Sequence, residues 1–316
     1  MSEAPTISII TATYNASHVL RYAVRSVLEN EFQDWELIVV GDHCTDDTET
    51  VVAAFADDRI RFVNLPANSG QQATPNNHGV TMARGSYLCF LNHDDLFLPG
   101  HLGDMLKAAQ DYPDSILLAG YADIRIMETE DEAEADAPTP PRLMLRRTGP
   151  TERLPAYDPL RWQIASSWFM PTALARQAGP WRLEHETYVT PSQDWLFRAW
   201  RSGRAIVGVP RVTVLAVCTG GRRNFFTGQH DAVHEHVFNR YVATREHDHE
   251  LESLPPVTRG RPGAGALRRA ARALYEKTVC RLSIALGVHP NTLEMRIRHG
   301  KRGGFIRQWR RGVNLD

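Results

Sequence analysis

Three short apolar runs, Ile7 to Thr11, Glu36 to Val40 and Ser86 to Leu91, each break off at polar residues, and helical patterns lie between them. Runs of this kind belong to strands covered on both faces, the situation of a parallel sheet. After the first, Leu20, Ala23, Val24, Val27 and Leu28 fall at i, i+3, i+4, i+7 and i+8, with Ser17 as a candidate N-cap. After the second, Asp46 and Glu49 have capping-box spacing, and Val51, Val52 and Phe55 share one face. Arg59 to Asn64 then alternates as a shorter strand. Strand, helix, strand, helix, strand predicts a parallel α/β sheet with right-handed crossovers.

The third run ends at Asn92-His-Asp-Asp95, where a strand leaves the sheet and where open α/β sheets bind their ligands. Neighbouring side chains in extended backbone point opposite ways, so Asp94 and Asp95 can serve two partners, such as a divalent cation and a sugar hydroxyl. An acidic turn closing a strand reads the same. Between Thr11 and Ser17 there is no glycine, so the Gly-x-Gly-x-x-Gly phosphate loop is missing, as is a P-loop Gly-Lys-Ser/Thr. Acids at strand ends, Asp42 and again Asp94 and Asp95, point instead to hydroxyls, base NH groups and a metal that carries the phosphate charge. The amide-rich stretch from Asn68 to Gly79 suits a base or sugar, or is a solvated connection.

Taken in order, Ile9-Ile-Thr-Ala-Thr-Tyr-Asn15, Leu37-Ile-Val-Val-Gly-Asp-His-Cys-Thr-Asp46, Asn68-Ser-Gly70 with Asn77-His-Gly79, and Ala83-Arg-Gly-Ser-Tyr-Leu-Cys-Phe-Leu-Asn-His-Asp-Asp95 resemble glycosyltransferase family 2. These are inverting, nucleotide-sugar-dependent enzymes of the GT-A fold. The resemblance implies an α/β, mostly parallel GT-A sheet flanked by helices, and transfer of a sugar from a UDP-linked or similar donor to an acceptor hydroxyl in bacterial-type glycan synthesis. It places Thr13, Tyr14 and Asp42 at the base, with Asn15 and Asn77 in the same donor-binding segments, and Asp94 and Asp95 on ribose and a Mg or Mn ion. Three positions depart from the pattern. Asn92 replaces the first acid of Asp-x-Asp, Gly41 and His43 flank the base-binding acid, and Asn76 stands where a basic residue is common.

With 316 residues the chain exceeds one small core. The expected division is 1–112 for the nucleotide-sugar half, 113–250 for the acceptor half, and 251–316 for a linker and basic helical extension. In the second half, Thr190 to Trp200 reads as a helix with Ser192 as cap and Asp194 in its first turn, where the helix dipole favours a carboxylate. An acid there is what a cap needs; by the resemblance, Asp194 is also the catalytic base, with Arg198 in i,i+4 reach. Trp168 and Trp195 are candidates for stacking on an acceptor sugar, or for the core. His230 or His234 would complete a metal shell, and Arg222 and Arg223 would close over the diphosphate.

The net charge of -1 conceals a divided chain. From Arg259 to Asp316 there are 14 Lys or Arg against Glu276, Glu294 and Asp316, a balance of +11, which leaves 22 basic and 34 acidic groups, a balance of -12, on the rest. This tail is expected to dock on the acidic body or lie against anionic lipid, and Leu282 to Arg298 resembles a helix-turn-helix. A non-catalytic sugar-nucleotide sensor with a nucleic-acid-binding tail is therefore the alternative to an enzyme. Glu128 to Pro141 is acidic and proline-rich, expected to be a mobile surface loop. The four cysteines are scattered without Cys-x-x-Cys, and no run approaches the ~20 apolar residues of a membrane helix. The expected location is the cytoplasm, with peripheral contact at the inner face of a membrane.

Overall fold

The computed structural model of the chain describes residues 4–126, 143–150, 152, 157–217, 232–244, 248–255, 278 and 281–312. The expected alternation is present. Strands β1 (Ile7–Thr13), β2 (Trp35–Gly41), β3 (Ile60–Asn64) and β4 (Tyr87–Phe90) are parallel neighbours in the order β3-β2-β1-β4. Helices α1 (Ser17–Leu28), α2 (Thr48–Ala53) and α3 (Ala73–Met82) connect them. Beyond β4 come β5 (Asp95–Phe97), α4 (His101–Asp111), β6 (Ser115–Ile126), β7 (Leu143–Thr148), β8 (Trp168–Pro171), α5 (Thr172–Gln177), α6 (Pro191–Arg201) and β9 (Ala205–Val217). The parallel half continues through β8, antiparallel to β4, into β6, β9 and β5, with β7 alongside β6.

Because successive side chains of a strand point to opposite faces, the sheet sorts its apolar residues into two layers. Ile9, Leu37, Val39 and Cys89 pack with Leu20 and Val24 of α1 and Leu102 and Met105 of α4. Ile10, Ile38, Leu88 and Phe90 pack with Trp168, Trp181, and Trp195 and Leu196 of α6. A third cluster joins Leu96, Leu215 and Val217 to Tyr22, to α7 (Ala232–Val237), to a π-helical turn Phe238–Ala243 and to α8 (Asp248–Ser253).

Two helix starts differ from their expected caps. The N-cap of α1 is Ala16, and Ser17 is the first helical residue. Its amide donates to Asp46 Oδ2 at 3.2 Å and its hydroxyl to Asp47, so acids of the loop after β2 cap α1 from outside. Asp46 also accepts from Thr48 N at 3.2 Å instead of forming a box with Glu49.

The last described elements are α9 (Thr292–His299) and α10 (Gly304–Gly312). The segment around them lies on the body: Arg201 Nη1 donates to Ile284 O at 2.8 Å, the His289 ring meets Phe197 edge-on at 5.1 Å, and Gly303 N, between the two helices, donates to Thr187 O at 3.0 Å. Arg296 and Arg302 stand over the Tyr188 ring at 5.9 and 5.7 Å. Leu282, Leu286, Val288, Leu293, Ile297 and Trp309 of this segment nevertheless remain exposed. Among the described residues no helix is long and apolar enough to cross a membrane. The acidic stretch Glu128 to Pro141 lies outside the described residues.

Candidate active site

The polar residues gather where β1, β2 and β4 end. Thr13 closes β1, with half-buried Tyr14 after it, and its carbonyl accepts from Asp42 N at 2.8 Å. Asn15 adopts φ +42° and turns its amide inward, Oδ1 accepting from Thr45 N at 2.8 Å and from Asp46 N at 3.3 Å. It fastens one loop to the next, which corrects its expected role as a donor contact. Gly41 has a steric cause: a Cβ there would stand 2.6 Å from Asn64 Oδ1, which accepts from Cys44 N at 2.8 Å.

Asp42 is buried, and its carboxylate organises the Asn68–Gly70 loop. Ser69 N reaches Oδ1 and Oδ2 at 3.0 Å each, Ser69 Oγ donates to Oδ1 at 2.9 Å, and Gly70 N donates to Oδ2 at 2.9 Å. Asn68 Nδ2 adds a bond to the Asp42 carbonyl at 2.8 Å. These three donors make four contacts, two on each oxygen, with Ser69 N shared between them, and so fix the plane of the carboxylate.

At the exit of β4, Asp95 is buried and opens β5. Its Oδ2 accepts from Asn92 Nδ2 at 2.8 Å and from Ser166 Oγ at 2.5 Å, while Ser166 Oγ accepts from Asn92 N at 2.9 Å. Burial, and then the neighbouring Asp94 charge, push the Asp95 carboxyl well above the usual range despite these bonds. Asp94 is half-buried, and its carbonyl shares a hydrogen bond with His234 Nε2 at 3.0 Å. A carbonyl only accepts, so Nε2 carries the proton here, and Nδ1 is the nitrogen that keeps a lone pair. His230, Arg222 and Arg223 lie outside the described residues. The carboxylates of Asp94 and Asp95 are hard oxygen donors of the type that suits Mg or Mn, although among the described residues no three His, Cys, Asp or Glu side chains gather as a shell.

The acceptor-side acid sits on α6. Thr190, not Ser192, is the cap: its side chain accepts from Gln193 N, with Pro191 in the first turn. Asp194 is buried between two arginines, with Arg198 Nε 2.7 Å from Oδ2 and Arg182 Nη1 3.3 Å from Oδ1. Arg198 is itself fixed by the carbonyls of Ala178 and Pro180, at 3.0 and 2.7 Å.

Trp168 and Trp195 are a correction. They are 0% and 1% exposed and stack at 5.5 Å and 20°, and Trp195 Nε1 donates to Gly179 O at 2.8 Å. Rings sealed in this way cannot face a sugar. They bridge the site instead: Phe90, two residues before Asn92, meets Trp168 and Trp181 edge-on, and both tryptophans stack with Trp195 beside Asp194. Asn77 is also engaged structurally. Its Nδ2 donates to Trp181 O at 2.9 Å and its Oδ1 accepts from Trp181 N at 2.8 Å, a two-bond clamp from α3 to the segment before α6. Ser69 falls within the expected Asn68–Gly70 motif without having been singled out there; Ser166 and Arg182 were not anticipated, and their only signal is polarity next to expected site segments.

Residues 8–164 match the glycosyl transferase family 2 model. This half of the chain is a family 2 glycosyltransferase domain. The domain is 36% identical over 110 residues to GalNAc(5)-diNAcBac-PP-undecaprenol beta-1,3-glucosyltransferase of Campylobacter jejuni, covering 34% of this chain and 35% of that protein. It is 33% identical over 96 residues to UDP-Glc:alpha-D-GlcNAc-diphosphoundecaprenol beta-1,3-glucosyltransferase WfgD of Escherichia coli, covering 30% of this chain and 38% of the other. The chain thus spans little more than a third of the length of these relatives. The crystal structure of S. aureus TarS 1-349 in complex with UDP-GlcNAc superposes with a TM-score of 0.55 at 18% identity, over 71% of this chain and 61% of that one. The family 2 domain and the strands after it therefore share the GT-A fold expected from the sequence.

Proposed function

We propose that the protein is an inverting glycosyltransferase that moves a sugar from a UDP-linked donor to an acceptor hydroxyl. The observation that carries this is the convergence, at one edge of the sheet in a family 2 domain, of Asp42 with its preordered loop and of Asp94 with Asp95. A base N–H would be accepted by one Asp42 oxygen as the shared Ser69 N bond draws onto the other, with Thr13 and Tyr14 beside it, and Asp94 takes the ribose. UDP-GlcNAc in the TarS crystals supports a uridine donor, and the undecaprenol-linked substrates named for two relatives support a lipid-linked saccharide acceptor.

In the reaction the acceptor hydroxyl attacks the anomeric carbon in line with the departing diphosphate and loses its proton to Asp194. Both carboxylate oxygens hold arginines, so one must yield. Arg182, at 3.3 Å and with a side chain 52% exposed, is the one that moves, while Arg198 keeps the carboxylate oriented. Asp94 and Asp95 would hold a divalent cation, which when bound offsets the charge growing on the diphosphate. Positioning and charge stabilisation carry most of the rate.

The exposed apolar residues of 282–309, set among arginines, are proposed to rest on an anionic bilayer surface that brings the domain to its lipid-linked acceptor. The decisive experiment supplies purified protein with UDP-glucose or UDP-GlcNAc and manganese, with EDTA as the control, and follows UDP release. Release that rises with an undecaprenol-diphosphate saccharide supports the enzyme. Binding of UDP-sugar without release on any acceptor supports the sensor instead.

A further inference from the structure

The basic tail does more than lie on the surface. Helix α10 is pinned beside the loop that wraps Asp42. The amide of Gly303 donates to Thr187 O at 3.0 Å, and one turn on, Arg307 Nη1 lies 3.7 Å from Glu184 Oε1. Glu184 in turn donates its amide to Gln71 Oε1 at 2.7 Å, so the anchor of the helix and the Asn68–Gln71 segment are already joined. Arg310 follows Arg307 by three residues and therefore lies on the same face of the helix. Its guanidinium occupies the space above the Cα of Gly70: a Cβ built on Gly70 would fall 1.9 Å from Arg310 Nη1 and 2.8 Å from Cζ. Gly70, at φ +72°, is the residue whose amide donates to Asp42 Oδ2 at 2.9 Å.

We propose that α10 is a wall of the donor site and that Arg310 is a positioning residue for the nucleotide, seating the Ser69–Gly70 amides on Asp42 so that the carboxylate is held in one orientation toward the base. The reach of 240 residues along the chain from Gly70 to Arg310 follows from the residue numbers alone. Without the guanidinium on its outer side, the loop is free to leave Asp42, and the carboxylate is presented in many orientations instead of one. The cation also offsets part of the negative charge that Asp42, Asp94 and Asp95 place at the edge where an anionic donor must bind. This inference rests on the donor assignment above and adds a residue to it from outside the family 2 domain.

The test measures UDP binding by titration calorimetry on the full chain and its variants, with donor KM and kcat measured alongside. Arg310→Ala is expected to raise the UDP Kd and the donor KM about tenfold, the scale of one lost charge-assisted contact, with kcat and the unfolding midpoint of the free protein nearly unchanged. Arg310→Lys should recover part of the loss, since a lysine fills the same space without the planar fork. Arg311→Ala removes the same charge from an exposed neighbouring position and should leave UDP binding as it was. UDP affinity of Arg310→Ala within twofold of wild type, or an equal loss in Arg311→Ala, overturns the inference while leaving the donor site standing. Absence of UDP binding in the wild-type chain overturns the donor assignment itself and this inference with it.

Discussion

Arg198 Nε lies 2.7 Å from Asp194 Oδ2, and the same guanidinium is bound by two backbone carbonyls, so the carboxylate on the first turn of α6 is held by a group that cannot follow it away. Asp194→Asn should abolish sugar transfer while leaving UDP affinity nearly intact; full turnover in that variant removes Asp194 as the base. Arg198→Ala should lower kcat by about ten- to a hundredfold through lost orientation, with a smaller change in donor KM. Steady-state kinetics with varied donor and acceptor separates the two.

Asn92 donates to Asp95 Oδ2 at 2.8 Å, and an aspartate in its place would set a third carboxylate against Asp94 and Asp95. Asn92→Asp should therefore lose about 1–3 kcal/mol in EDTA, from a broken buried hydrogen bond and like-charge repulsion, and regain it when manganese is added. Thermal unfolding with and without the metal reads both changes. An Asn92→Asp protein as stable as wild type in EDTA, or one indifferent to manganese, removes Asp94 and Asp95 as a cation site.

Trp168 belongs to the core, and its substitutions should behave accordingly. Trp168→Ala should lower stability by about 3–5 kcal/mol, as for other large aromatic truncations. Trp168→Phe should fold and keep the acceptor KM of the wild type. A raised acceptor KM with unchanged stability would restore it to the substrate.

Two buried groups make stability fall in acid, each over its own range. His101 stacks on Phe97 at 3.9 Å and shares a hydrogen bond with Thr213 Oγ1 at 2.8 Å, and burial pulls its pKa from 6.5 down to about 3. The unfolded chain takes up this proton first, so stability falls as pH drops below about 6.5, by about 1.4 kcal/mol per pH unit for this one group. Burial works to raise the Glu36 carboxyl, but hydrogen bonds from Ser8 and Arg84 and the charge of Arg61 outweigh it and leave it below 4.5. Its contribution is present above that value and is lost as pH falls beneath it. Urea unfolding between pH 7 and about 4 should show a shallower decline for His101→Gln than for wild type once the pH is below about 6.5. Parallel curves for the two proteins over that range would show that His101 takes up its proton without unfolding.

The parallel half of the sheet was legible because its strands are unbroken apolar runs and its helices carry clean stripes, as in Ile7 to Thr11 and Leu20 to Leu28. Strand β9 was not. Pro210 and Arg211 interrupt it, bulging opposite Gly120, where a Cβ would stand 2.7 Å from Pro210 O and 2.6 Å from Arg211 O. The acids of the site could be located from their positions at strand ends, but their partners could not. Ser166 lies 71 residues from Asp95, and no local period signals a bond across that span. Trp168 and Trp195 show a different limit, since a tryptophan before or inside a helix has the same sequence signature whether its face meets a sugar or another indole.

The clamp between Asn77 and Trp181 bears on how such chains can be recombined. The family match stops at residue 164, yet a graft joined there would part Asp95 from Ser166 and α3 from its two backbone bonds. A donor module transplanted between relatives keeps these bonds only if the crossover point falls beyond Trp181, so the unit of exchange is longer than the unit of sequence similarity.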